Sequence, residues 1–256
     1  MTTRLFAALD IYRCETPRSA ALNMAIDEVL LESAKTPSIR FYRWDHPALS
    51  FGYFGKFGQV ADYAKERDLV RRWTGGGIVF HGEDLTYSMI VPASDPVFNE
   101  SSISIYEAVH RAIQIALGPQ AELANVASFV SAPSPKSSAK FATAEARSPA
   151  REGACAPQMC FENPVRADVL INGQKVAGAA QRRTRHGLLQ QGSIQVATGR
   201  VGPTGGNVEF GNGFTDLFAK HLCGTCRQKR LDDTLLARAR ELAEQKYATY
   251  DWLRRH

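Results

Sequence analysis

Arg71-Arg72-Trp73-Thr74-Gly75-Gly76-Gly77-Ile78-Val79-Phe80-His81 leads into Leu85-Thr86-Tyr87-Ser88-Met89-Ile90-Val91-Pro92. Three adjacent glycines weaken a helix or a strand. They suit a place where backbone must approach another group closely, or take dihedrals that a side chain forbids. Two arginines precede them, His81 follows, and a strand-like apolar run comes next. The stretch therefore gathers backbone N–H groups, fixed positive charge and one titratable ring. That is the chemistry of a site for a carboxylate, a phosphate or an acyl carbonyl. A glycine-rich hairpin with solvated arginines is the plain alternative.

Moving outward, Asp168-Val169-Leu170-Ile171, Asn172-Gly173 and Gln174-Lys175-Val176-Ala177 form the clearest hairpin, because Asn-Gly between two strand-like runs favours a type I′ turn. Leu188–Gln191 and Ile194–Val196 continue the sheet. Upstream, Thr16-Pro17 starts a helix in which Leu22, Ile26, Val29 and Leu30 make an apolar stripe from Ser19 to about Ala34, with Asn23 and Asp27 in structural roles. Ile39–Trp44 and Ala48–Tyr53 read as strands around Asp45-His46-Pro47, and a short helix near Val60–Arg67 precedes a strand into Arg72. Ser104–Leu117 is an amphipathic helix on which His110 and Arg111 read as solvated. The Ala-, Ser-, Pro- and Lys-rich stretch 131–158 reads as a mobile insertion within one domain covering 1–256. Gly199–Gly213 is a glycine-rich loop, and a closing helix at about 232–253 carries Leu235, Leu236, Ala239, Leu242 and Ala243.

The composition is that of a globular chain: 256 residues, 44% apolar and 22% charged. No apolar run reaches the roughly 18 residues that span a bilayer, so no membrane partner is expected. Five cysteines without framework spacing argue for reduced thiols and a cytoplasmic setting. The net charge of +5 lacks the long basic run with interleaved aromatics of a nucleic-acid binder, and an acidic protein partner fits it better. Cys223 and Cys226 beside His221 make half a zinc site at best, so no metal is expected.

Arg-Arg-x-Thr-Gly-Gly-Gly-x-Val-x-His followed by Leu-Thr-Tyr-Ser, and then Asp168 through Lys175, Gly178, Ala179 and Gln181, together resemble the lipoate-protein ligase and octanoyltransferase family, related to biotin protein ligases. The likeness covers about Leu22 to Val196. Family members often carry a glutamine near Phe54-Gly55-Lys56, and this chain does not. The resemblance implies an α/β (α+β) fold with a mixed, largely antiparallel sheet packed against helices. It assigns acyl or adenylate binding to Arg71, Arg72, Thr74, Gly75, Gly76, Gly77, His81, Gly178 and Ala179. It also implies that Lys175 contacts the acyl carbonyl, where the residue alone reads as a solvent-facing strand lysine.

Cys160 is the candidate nucleophile. A lone cysteine is usually a small buried apolar residue. Cys160-Phe161 followed by Pro164 and the hairpin, however, resembles the octanoyltransferase branch that uses a cysteine nucleophile. A thiol needs a nearby cation or base to ionise at neutral pH, and Lys175 could supply it. His81 reads equally as a proton shuttle or a strand-end packing residue. Three activities follow. One is octanoyl or lipoyl transfer without a cofactor, from acyl carrier protein or octanoylated glycine cleavage H protein to lipoyl domains. Another is an ATP- and Mg2+-dependent lipoate ligase. The third is a non-catalytic carrier-binding protein.

Overall fold

The computed structural model describes residues 4–14, 16–125, 161, 164–195 and 211–255. In chain order the elements are β1 (Phe6–Arg13), α1 (Ala20–Ser33), β2 (Ser38–Tyr42), β3 (Ala48–Phe51), β4 (Asp68–Arg71), β5 (Val79–His81), β6 (Leu85–Pro92), α2 (Ser102–Leu117), β7 (Ala121–Leu123), β8 (Val169–Ile171), β9 (Gln174–Thr184), β10 (Gly187–Ile194), α3 (Asn212–Leu222), β11 (Cys223–Lys229), α4 (Asp233–Leu242) and α5 (Tyr250–Arg254).

Eight strands form one sheet in the order β11-β1-β2-β6-β10-β9-β8-β7. The β11–β1 and β1–β2 pairs are parallel, and every other neighbour is antiparallel. A smaller sheet sets β3 between parallel β4 and antiparallel β5. This is the mixed, largely antiparallel sheet with helices that the sequence implies.

Helices cover both faces of the large sheet, and β6 shows why every one of its residues is buried. Leu85, Tyr87, Met89 and Val91 alternate onto the face packed by Ile105, Val109 and Ile113 of α2 and Phe214 and Phe218 of α3. Ile90 points to the opposite face, under Met24, Ile26 and Leu30 of α1 and Ala239 of α4. The two-residue period of a strand thus serves two cores at once.

Ser19 caps α1 by accepting from the Leu22 amide. The helix buries more than its apolar stripe, since Asn23, Asp27 and Glu28 are also buried. Asp27 pairs with the buried Arg40 of β2 at 2.7 Å and accepts from Tyr42, Ser88 and Gln191. Asn23 and Asp27 therefore tie α1 to three strands, the structural role expected for them. In the 172–173 turn, Asn172 and Gly173 both have positive φ, 52° and 73°, as a type I′ turn requires.

Several expectations change. His110 is fully buried, not solvated, because it sits on the face of α2 turned to the sheet, between the Ala167 carbonyl and the Tyr87 hydroxyl. The segment before β4 forms two 3-10 turns, Phe57–Gln59 and Ala61–Lys65, where a short helix was expected. The closing helix is interrupted by a π-type turn at Ala243–Tyr247 and restarts as α5, whose first turn Thr249 caps through the Trp252 amide. Cys223 and Cys226 are joined in a disulfide, which contradicts the expectation of reduced thiols for that pair and removes them as metal ligands. The expected insertion at 131–158 lies outside the described residues, as does most of the loop at 199–213. No helix among the described residues is long and apolar enough to cross a membrane.

Candidate active site

The glycine stretch folds inward on its own arginine. Arg72 donates through Nη1 to Ser50 Oγ at 2.7 Å and through Nη2 to the carbonyls of Gly75 and Gly77 at 3.0 and 2.7 Å. Gly76 has φ +86°, open to glycine at little cost. Gly52, at the end of β3, sits so close that a Cβ there would collide with the Gly76 carbonyl. Gly52 is thus needed for close backbone approach and Gly76 for its dihedral, while a Cβ on Gly75 would meet nothing within 4 Å. Thr74 is fully buried and donates to Gln191 Oε1 at 2.8 Å, while Gln191 Nε2 donates to Asp27. One polar chain therefore fixes the loop to the sheet and to α1.

Arg71 takes a different course from that expected of an anion ligand. It is fully buried, and its guanidinium donates to the carbonyls of Trp252, Tyr53, Gly55 and Leu253 at 2.6–2.9 Å. Burial lowers its pKa. All of these acceptors are backbone, so Arg71 joins the chain's end to the loop. It does not line the cavity between α1 and the sheet.

A narrow, mostly apolar cavity lies between α1 and the sheet. Its lining includes Met24, Tyr42, Trp44, Val79, Gly178, Ala179, Ala180 and Gly192, together with the polar residues Ser50, Arg72, His81, Thr86, Gln191 and Ser193. Gly75, Gly76 and Gly77 are not among the lining residues, although a Cβ on Gly76 would lie 3.3 Å from that of Ala180. The cavity suits a thin apolar chain with a polar head.

His81 sits in a buried relay. Its Nδ1 is 2.8 Å from Asp84 Oδ2, its Nε2 is 2.6 Å from Ser50 Oγ, and its ring stacks on Trp44 at 4.1 Å. Burial pushes the Asp84 carboxyl up, but the charge of His81 and bonds from His81, Ser193 and Gly82 outweigh it and hold the group at about 2. When the ring is neutral, the ionised Asp84 holds its proton on Nδ1 and Nε2 accepts from Ser50; when it is charged, both nitrogens donate. His81 thus ends β5, stacks on Trp44 and lines the cavity.

Lys175 is buried on β9, with its side chain 4% exposed, against the solvent-facing reading of the residue alone. Its ammonium is 2.8 Å from Asp168 Oδ2, and Asp168 also accepts from Tyr106 at 2.6 Å and from the Val165 amide at 2.7 Å. Burial first, and then the Asp168 charge, raise the Tyr106 pKa, so the phenol stays a donor. Gly178 is the residue over which Lys175 lies: a Cβ there would collide with the lysine's Cε. The Phe161 ring centroid is 5.6 Å from Lys175 Nζ. Cys160 itself lies outside the described residues.

Sequence reasoning assigned no role to Ser50, Asp84, Tyr106, Asp168 or Gln191. One signal was present: Ser50 interrupts the apolar run Ala48-Leu49-Ser50-Phe51, and a buried hydroxyl requires a partner. Asp84 falls three residues after His81, close enough for a local bond.

Sequence comparison gives the family. Residues 19–201 match the model of the lipoyl protein ligase A/B catalytic domain, so the chain belongs to that family. It is 34% identical over 194 residues to octanoyltransferase LipM of Oceanobacillus iheyensis, an alignment covering 71% of this chain. The chain spans 62% of that relative's length. Among solved structures it resembles Ta0514, a putative lipoate protein ligase from T. acidophilum with bound lipoic acid, at 22% identity and TM-score 0.64, covering 96% and 98% of the two chains. It also resembles a lipoate-protein ligase A bound with ATP, at 21% identity and TM-score 0.65, covering 97% and 98%.

Proposed function

We propose that this chain is an acyltransferase of protein lipoylation. It takes an octanoyl or lipoyl group from a carrier-protein thioester, holds it on Cys160 and passes it to a lysine of a lipoyl domain. The observation that carries the reading is the buried Lys175. It is aimed by Asp168 and lies beside Phe161, the residue that follows Cys160 in the chain. The strand that carries Lys175 also walls the apolar cavity with Gly178, Ala179 and Ala180. The octanoyltransferase relative supports transfer over the other activities.

In the first step the Cys160 thiolate attacks the thioester carbonyl. A C–S bond forms, the Lys175 ammonium stabilises the oxyanion, and the carrier sulfur leaves as a thiolate that takes up a proton. In the second step the neutral amine of the acceptor lysine attacks the acyl-enzyme. The amide forms, Cys160 leaves as thiolate, and the amine's extra proton passes to solvent. The acyl tail occupies the cavity between α1 and the sheet, next to Arg72 and His81. The donor is acyl carrier protein or octanoylated glycine cleavage H protein. A thioester is already activated, so this chemistry requires no ATP.

The test is the intact mass of the protein after incubation with octanoylated carrier in the absence of ATP. One octanoyl group should appear on Cys160, hydroxylamine should remove it, and Cys160→Ser should abolish or severely slow its formation. Full activity in Cys160→Ser, dependent on ATP and Mg2+, would leave the ligase reading in its place.

A further inference from the structure

We infer that the Tyr53–Phe57 turn and helix α5 together form the docking surface for the acidic carrier domain that delivers the acyl group. Phe54 and Tyr250 are the most exposed large apolar side chains among the described residues, at 77% and 68%. They are joined by a run of stacked aromatic and basic groups. The Tyr53 and Phe54 rings meet edge to face at 5.0 Å. Arg254 lies 5.2 Å from the Phe57 ring and 5.1 Å from that of Tyr250, and Arg255 lies 5.5 Å from Tyr53. Exposed aromatics interleaved with arginine make a surface suited to a protein partner, because they bury large area at low entropy cost.

Charge selects the partner. Residues 53–58 and 250–255 contain Lys56, Arg254 and Arg255 against one acid, Asp251. Lys56, Arg254 and Arg255 are all exposed. Such a surface attracts an acidic domain and raises its encounter rate.

Position fixes what the docked domain does. The Tyr53 amide donates to the Thr74 carbonyl at 2.8 Å, and Arg182 lies over both Tyr53 and Trp73, at 4.5 and 4.9 Å. Arg182 is two residues along β9 from Ala180, which lines the cavity. A domain seated on the turn therefore brings its thioester towards that wall. The assignment rests on the acyl-transfer reading.

The test compares acylation of the full chain by octanoylated acyl carrier protein with acylation by the octanoyl thioester of N-acetylcysteamine. Lys56→Glu with Arg254→Glu should raise the carrier KM about tenfold with kcat unchanged, and should steepen no salt dependence. Phe54→Ser, which leaves α5 untouched, should raise it several-fold, roughly as loss of an interface aromatic does. The small thioester should react at the wild-type rate in each variant. If wild type is not acylated by the carrier at all, the acyl-transfer reading falls and this surface with it. If wild type is acylated and every variant keeps its carrier KM within about twofold, the surface alone is refuted. A self-association or vesicle binding that the variants abolish, with carrier kinetics unchanged, would assign the surface to another occupant.

Discussion

Arg71 and Trp252 hold each other through reciprocal bonds. Arg71 Nε donates to the Trp252 carbonyl at 2.9 Å, and the Trp252 indole donates to the Arg71 carbonyl at 3.0 Å. The last helix is thereby fastened to the residue that opens the glycine stretch. Trp252→Ala removes a buried ring and one of these bonds, and should cost about 3–5 kcal/mol by urea unfolding. Trp252→Phe keeps most of the ring and should cost nearer 1 kcal/mol. Equal stability in wild type and Trp252→Ala would show that α5 does not hold the loop.

Lys175 and Asp168 must be varied together. Lys175→Ala strips a buried carboxylate of its cation, so the single variant should lose stability as well as activity, by about 3–5 kcal/mol. Adding Asp168→Asn should restore much of the stability. Transfer should remain at least about a hundredfold down, because the donor to the oxyanion is still missing. Recovery of transfer in the stabilised double variant would show that Lys175 only neutralises Asp168.

His110 makes stability depend on pH. Burial lowers its pKa to about 4 from 6.5, although the Ala167 carbonyl and Asp168 oppose the shift. Its Nδ1 lies 2.7 Å from that carbonyl, so the neutral ring donates there and accepts from Tyr87 at 3.2 Å. The unfolded chain binds this proton more readily than the folded one. The contribution is complete above pH 6.5 and is lost as the pH falls to about 4, on the order of 3 kcal/mol in all. His110→Asn should flatten unfolding free energy across that window. An unchanged slope would assign the dependence to other groups.

Asp84 acts in a lower window. Its carboxyl is held at about 2 against an ordinary 3.8, so its stabilisation is present above pH 3.8 and is lost as pH falls towards 2. Asp84→Asn should cost about 2 kcal/mol at pH 7, and the gap to wild type should close on acidification. A gap that stays constant down to pH 2 would show that the charge on Asp84 is not what His81, Thr86 and Ser193 require.

Local features of this fold were legible in the chain itself. The Asn172-Gly173 turn, the α2 periodicity and the conflict of three glycines with any regular element all depend on residues a few positions apart. Helix α1 was found for the right stripe, but its buried acids were not foreseeable, because Asp27 is satisfied only once Arg40, Ser88 and Gln191 converge on it. Strand β11 left no trace, since Cys223–Lys229 lacks apolar alternation and is a strand only by pairing with β1 at the sheet edge.

The sequence by itself determined the family, the main elements and the names of the residues around the glycine stretch and the 168–178 hairpin. Only the tertiary structure decided what each of them touches. It turned Arg71 towards the chain's end, set Arg72 and His81 in the lining of a cavity, and buried the Lys175 side chain against Asp168, which also holds Tyr106. The reason is reach. Backbone preferences act across a turn or two, whereas Tyr106 meets Asp168 across 62 positions, Thr74 meets Gln191 across 117, and Arg71 meets Trp252 across 181. Those meetings follow from the order β2-β6-β10-β9 and from the helices laid on either face, which no local pattern encodes.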